Sequence, residues 1–294
     1  MNIHTQQINS DIFKSKKINL FIKRIDLIHP FVSGNKYYKL KHNFTELHKQ
    51  KKDKILTFGG AYSNHICATS YYAKKNNIKS IGIIRGDKHV KLNHTLTFAT
   101  KQGMELHYVS REDYRQKHKL YFINQLKNKF GDFYLLPEGG SNILAVKGSR
   151  EIINNDNCNY ICCSVGTGAT ISGIMESSKK HQKVVGFPAL KSYKDLQNNI
   201  KKWSRRSNIK LEYAYVGNGY AKISNDLIKF IKNFYYNYDI PLDAIYNGKM
   251  MMGIFDLASK NYFEKGSNIL AVHTGGVQAN KGFNDRFGID LPLI

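Results

Sequence analysis

The sequence predicts an α/β fold of doubly wound, mostly parallel sheets. Two patterns predict it. Short apolar runs of strand length alternate with longer segments of helical period, and glycine recurs where the strand runs end. A length of 294 residues leaves room for one large or two modest domains.

Residues 18–24 alternate apolar and polar side chains, which predicts the first strand. A loop containing Pro30 follows, and Leu40, Phe44 and Leu47 then recur at helical spacing from Tyr37 onward. A strand over 54–58 ends at Gly59-Gly60, ahead of a helix over 64–75. A buried-type strand over 80–85 ends at Gly86. Next come a helix over 96–102, a strand over 105–109, a helix over 111–130 and a strand over 133–136 stopped by Pro137. The theme repeats: helix 146–154, strand 160–165, helix 171–181, strand 183–187, helix 190–203, strand 211–216, helix 223–236, helix 249–262 and strand 268–273. No solenoid repeat, low-complexity tract or Pro/Gly/Ser linker interrupts them.

Composition narrows the function classes. The net charge of +23 comes from lysines spread along the whole chain, without a recognisable nucleic-acid module. It predicts a solvated basic surface that favours small anions, rather than a nucleic-acid face. The first ten residues lack the apolar stretch of a secretory signal, and no apolar run reaches membrane-span length. The cysteines at 67, 158, 162 and 163 form no C-x-x-C pair, so a cytoplasmic protein with reduced thiols and no zinc is expected.

Three stretches carry chemistry. Lys36 follows Gly34 and Asn35 on a small-residue turn between the first strand and a long helix. A lysine facing inward there has its pKa lowered by burial, which frees the amine for covalent chemistry with a carbonyl. Ser164-Val-Gly-Thr-Gly-Ala-Thr170 leaves a strand and opens a helix. Its glycines let N–H groups converge, the helix start favours an anion, and Thr167 and Thr170 add hydroxyls, so it is a candidate phosphate cup. It is not a dinucleotide fingerprint: Gly166 and Gly168 lack the third glycine, and no acid ends the next strand. No P-loop pattern occurs either. Gly59-Gly-Ala-Tyr-Ser-Asn-His65 also opens a helix, where Ser63 is open to two readings, a helix cap or part of a carboxylate-binding helix start.

Together these are the parts a pyridoxal phosphate enzyme needs. Ser33–Lys39, Gly60–His65, Gly166–Thr170, Ile245-Tyr-Asn-Gly-Lys249 and His273-Thr-Gly-Gly276 resemble, in order and over nearly the whole chain, the 1-aminocyclopropane-1-carboxylate deaminase/D-cysteine desulfhydrase family. The resemblance implies a two-domain, tryptophan-synthase-β-like fold (type II), with a small domain over 48–142 and a large cofactor-binding domain over 1–47 plus 143–294. It implies pyridoxal 5'-phosphate as cofactor, held covalently by Lys36. Lys39 and Gly166, Thr167, Gly168, Ala169 and Thr170 would hold the phosphate, and Asn64 the cofactor's phenolic oxygen. Ser63, Asn64 and His65 would hold the substrate carboxylate, with the Ser63 hydroxyl near the reacting carbon. Tyr246 and, further off in the pattern, Tyr220 match active-site tyrosines. Asn247 stands where deaminases carry an acid at the ring nitrogen, and Thr274 where they carry leucine; both departures resemble desulfhydrase-like members. A small amino-acid substrate, α,β-elimination from a D-amino acid and a homodimer are implied. The competing classes are a basic nucleic-acid binder and a cofactor-holding protein without efficient catalysis.

Overall fold

The computed structural model describes residues 3–87, 92–189, 193–217 and 222–293. Its ten strands are β1 (Thr5–Ile8), β2 (Asn19–Lys23), β3 (Lys54–Gly60), β4 (Lys79–Arg85), β5 (Met104–Val109), β6 (Tyr134–Leu136), β7 (Tyr160–Val165), β8 (Lys183–Pro188), β9 (Ile209–Leu211) and β10 (Asn268–Val272). They form a six-stranded sheet, β1-β2-β10-β7-β8-β9, and a four-stranded sheet, β5-β4-β3-β6. Among the described residues only the β1–β2 pairing is antiparallel.

Alternation in the central strands explains why the larger sheet is covered on both faces. In β7 and β10, Tyr160, Cys162, Ile269 and Ala271 pack into one apolar cluster with the helix Asn247–Ser259. Ile161, Cys163, Leu270 and Val272 face the other way, onto Ile171, Ile174 and Met175 of the helix Ala169–Ser177. Both faces of these strands are therefore dry, as parallel strands require. The smaller sheet is built the same way: all five interior residues of β3 are buried.

Each sheet has one point where the strand order reverses. In the larger sheet it lies between β7 and β10, and in the smaller one between β3 and β6. Crevices at the carboxyl ends of strands open at such points, and ligands bind there.

Some elements differ from expectation. The run over 211–216 keeps only Ile209–Leu211 as a strand and then tightens into a 3₁₀ turn, Tyr213–Tyr215. The turn swings the Tyr215 ring toward Phe187, and its hydroxyl donates to Asp256 at 2.6 Å. The helix over 111–130 divides into Arg111–Arg115 and Leu120–Phe130. The strand Thr5–Ile8 and the helices Asp11–Lys16 and Ala279–Phe287 add to the expected elements. Among the described residues no helix is long and apolar enough to cross a membrane.

Candidate active site

A cavity of about 460 Å³ lies at the exits of β3, β6, β7 and β10. Both reversal points thus open onto one space, which is of the size small ligands occupy. Asn64 comes from the β3 exit, Gly139 from β6, Ser164–Gly168 from β7 and Thr274–Gln278 from β10, with Asn35, Lys36 and Lys39 on one helix completing the wall.

That helix, Asn35–Lys49, starts at Gly34, whose φ of 63° and ψ of −140° suit glycine. The Asn35 N–H donates to the Thr274 carbonyl at 3.2 Å, which pins the lysine turn to the β10 exit. Lys36 Nζ donates to Asn35 Oδ1 at 2.9 Å. Burial lowers its pKa to about 8, partly opposed by the Asp243 carboxylate. Lys39, one turn further, donates to the Gly139 carbonyl and the Ser141 hydroxyl, both at 3.0 Å. Burial, and then the neighbouring Lys36 charge, hold its pKa well below the usual lysine range.

The glycine-rich turn after β7 faces these lysines. Gly166, Thr167, Gly168 and Thr170 line the cavity. Gly168 has φ 98° and opens the helix Ala169–Ser177. Ala169 departs from its expected place at the phosphate: its side chain packs against Ala145 and Val146, and it does not line the cavity. Thr170 Oγ1 accepts from Asn35 Nδ2 at 3.0 Å, and Thr167 Oγ1 is hydrogen-bonded to Ser141 Oγ.

The β3 exit divides its residues. Asn64 lines the cavity, and its Oδ1 is buried without a partner. Ser63 is the helix cap: its Oγ accepts from Ile66 N–H at 3.3 Å, and it does not line the cavity. The His65 side chain departs from its expected substrate-binding role. It lies inside the small sheet, with Nε2 2.7 Å from Thr57 Oγ1 and Nδ1 3.4 Å from Thr69 Oγ1. Because Thr57 donates its proton to the Leu136 carbonyl, Nε2 is the donor to Thr57. Burial, with Lys36 and Lys39 adding to it, keeps this ring's pKa well below the usual histidine range.

Tyr246 lines the cavity with its ring against Gly166, where a β-carbon would come within 3.3 Å of Cε1. Asn247 departs from its expected contact with a cofactor. Its side chain lies behind the cavity wall, donating to Asp243 Oδ1 at 2.6 Å and the Gly275 carbonyl at 2.7 Å, and accepting from Thr274 N at 3.0 Å and Thr274 Oγ1 at 3.2 Å. Thr274 itself does line the cavity, and its Oγ1 is 3.0 Å from Ser164 Oγ. Tyr220 lies outside the described residues.

Asp243 and Ser141 were absent from the expected constellation, and Ser164 entered it only as the first residue of the glycine-rich stretch, with no role of its own. The buried Asp243 carboxylate accepts from the N–H groups of Ile245, Tyr246 and Asn247 at 2.7–3.0 Å, besides Asn247 Nδ2. An aspartate just before a helix start is a capping signal that could have marked it. Ser141 carries no local signal, and the pairing of Ser164 with Thr274 is not legible locally, because the partners lie 26 and 110 residues away.

Comparison with known proteins gives the family and the fold. A family model described as pyridoxal-phosphate dependent enzyme matches residues 5–275. A Thermotoga maritima protein named as a candidate 1-aminocyclopropane-1-carboxylate deaminase is 29% identical over 88% of this chain and 89% of its own. An Arabidopsis thaliana protein named as a mitochondrial bifunctional D-cysteine desulfhydrase/1-aminocyclopropane-1-carboxylate deaminase is 28% identical over 88% of this chain and 72% of its own. A crystal structure of an ACC deaminase homologue superposes with TM-score 0.83 at 24% identity, covering 97% of this chain and 93% of that one, which shows a shared fold.

Proposed function

We propose, from the premise that this chain belongs to the pyridoxal-phosphate dependent enzyme family, that it carries out α,β-elimination on a small D-amino acid. D-cysteine is the leading substrate; with one water it gives pyruvate, ammonia and sulfide.

The residues present fit the family's cofactor. A buried amine with a pKa of about 8 is available to hold it covalently at Lys36. Gly166, Thr167, Gly168 and Thr170 offer N–H and hydroxyl donors for its phosphate at a helix start. The unpartnered buried oxygen of Asn64 marks an amide whose hydrogen bonding is incomplete without a ligand. Pyridoxal phosphate, when bound, withdraws electrons from the carbon beside the substrate amine. Lys36, as a free amine, would be placed to take the proton from that carbon, since its lowered pKa leaves a usable fraction neutral near pH 7. The helix start behind Ser63 offers N–H groups to a carboxylate.

One observation carries the choice of reaction: among the described residues that line the cavity there is no carboxylate. Where Asn247 and Thr274 depart from the deaminase pattern, the wall consists of the Ser164 and Thr274 hydroxyls. Neutral hydroxyls hold a proton on a ring nitrogen far less firmly than an acid does, which weakens the electron sink. Thiolate departs readily after proton removal, whereas opening a cyclopropane demands more of that sink. The Arabidopsis relative's printed name joins both activities. Cyclopropane deamination is the second reading, favoured by the name of the Thermotoga relative.

Purified protein incubated separately with D-cysteine, L-cysteine, D-serine and 1-aminocyclopropane-1-carboxylate, with keto acid measured, tests this. Pyruvate from D-cysteine should form fastest. Faster 2-oxobutanoate from the cyclopropane would install the deaminase reading, and no keto acid from any of them would remove both.

A further inference from the structure

Lys36 and the cup are joined by an unbroken run of hydrogen bonds through Asn35. A protonated lysine can only donate, so in that form Lys36 Nζ–H points at Asn35 Oδ1, at 2.9 Å. This fixes the other end of the amide as Nδ2, which donates to Thr170 Oγ1 at 3.0 Å. With its oxygen accepting from Asn35, the Thr170 hydroxyl keeps its own proton for whatever fills the cup that Thr170 lines. Every bond in this run therefore donates in one direction, from the lysine toward the cup. Bonds aligned in this way polarise one another, so an anion at the far end strengthens the near end.

We propose that Asn35 is a positioning residue: it transmits anion occupancy of the Gly166–Thr170 cup to the Lys36 amine, aiming the amine and holding its proton while the cup is filled. The proposal rests on the reading of Lys36 and the cup as the cofactor's two anchors. The other groups facing Lys36 are Asp243, Lys39 and His65. All act on it through space and are untouched by a change at Asn35. Lys39 has a separate route, through Ser141 to Thr167, which serves as the internal control.

The test uses the full-length protein in two forms. In the holoenzyme, the pH midpoint of the cofactor's visible absorption band is measured for the parent, Asn35→Ala, Thr170→Val and the double variant. A relay makes the two single changes non-additive, so the double variant should shift no further than either single one. In protein stripped of cofactor, with folding checked by circular dichroism, the pH midpoint of Lys36 acetylation is read by mass spectrometry with and without saturating inorganic phosphate. Phosphate should raise the parent's midpoint by about half a pH unit or more. The rise should be at least halved in Asn35→Ala and Thr170→Val, and kept in Thr170→Ser and Ser141→Ala. Asn35→Asp, which accepts from Lys36 but cannot donate to Thr170, should raise the midpoint without phosphate and respond less to it. Additive shifts in the holoenzyme, or an equal phosphate response in all variants, would overturn the relay. Cofactor found on a lysine other than Lys36 would instead overturn the reading beneath it.

Discussion

Gly34 and Thr274 approach so closely that a β-carbon on Gly34 would lie 2.0 Å from the Thr274 carbonyl oxygen. Gly34 also sits at a positive φ of 63°. Two penalties therefore coincide at the residue that starts the lysine helix, and neither falls on a flexible side chain. Gly34→Ala should destabilise the fold by about 3 kcal/mol or more, since overpacking and backbone strain act together. It should also separate the lysine turn from the β10 exit. Urea unfolding and cofactor content read the two effects, and a variant that keeps parental stability with bound cofactor would show that the two loops can part freely.

Burial of Lys36 has a consequence for stability against pH. Its pKa is about 8 in the fold against an ordinary value of 10.5. Between these values the unfolded chain holds a proton that the folded, cofactor-free chain has released. The unfolded state then binds more protons, so stability rises with pH through this window, by on the order of 3 kcal/mol in the limit. Below about 8 the full cost of burying the charge is present. Lys36→Met, similar in length and uncharged, should remove this rise. The comparison is urea unfolding of cofactor-free parent and variant from about pH 7.5 to about pH 10, which spans most of that window; parallel curves would mean that the amine is not desolvated.

Much of this site is readable along the chain because its parts are local. Strand exits, helix starts and glycine turns are short patterns, so Lys36, Asn64 and the Gly166–Thr170 turn emerge from neighbours within a few residues. What does not emerge is direction. His65 is one residue from Asn64, yet helical rotation points it into the small sheet, onto Thr57 and Thr69, while Asn64 meets the cavity. Asn247 follows Tyr246, yet only the tyrosine reaches the cavity. The same limit holds for the fold: β1 is a short edge strand whose register, Thr5 with Lys23 through Ile8 with Leu20, depends on a partner rather than on its own alternation.

The cup hydroxyls should matter more for holding the cofactor than for turning substrate over. Thr167 and Thr170 line the cavity beside the glycine turn, and each is tied into a hydrogen-bond run from a buried lysine. Replacing both by valine keeps the shape and removes two donors. At about 1 kcal/mol or more per lost bond, cofactor affinity should fall about tenfold or more. Turnover at saturating cofactor should change far less. Equilibrium dialysis against free cofactor, followed by keto-acid assay, separates the two quantities. Unchanged affinity would mean that the phosphate is held elsewhere.

Restoring an acid at position 247 should fail unless its neighbour changes with it. Asn247 Nδ2 donates to Asp243 Oδ1 at 2.6 Å, and Asp243 already caps the following helix through three backbone N–H groups. A glutamate in place of Asn247 would put a second carboxylate beside that buried one, and would give up the bond to the Gly275 carbonyl. Two like charges in a dry site cannot both ionise cheaply, so the new carboxyl's pKa should rise and it should stay protonated near neutral pH. For an acid whose folded pKa is raised, the folded state binds more protons than the unfolded one. Asn247→Glu should therefore lose stability progressively as pH rises from the ordinary glutamate range toward the raised value. The loss near pH 7 should be about 3 kcal/mol, as when a buried charge is left without a partner. Adding Asp243→Asn removes the opposing carboxylate and should flatten that pH dependence, although helix capping weakens. Thr274→Leu, by contrast, changes the cavity wall directly by taking one hydroxyl from the Ser164 pair. It should lower the ratio of D-cysteine to cyclopropane turnover without the pH-dependent instability. Unfolding curves at several pH values and the two substrate assays read these outcomes separately. If Asn247→Glu is as stable as the parent at pH 8, the 243–247 pair has room or solvent that its 2.6 Å contact denies.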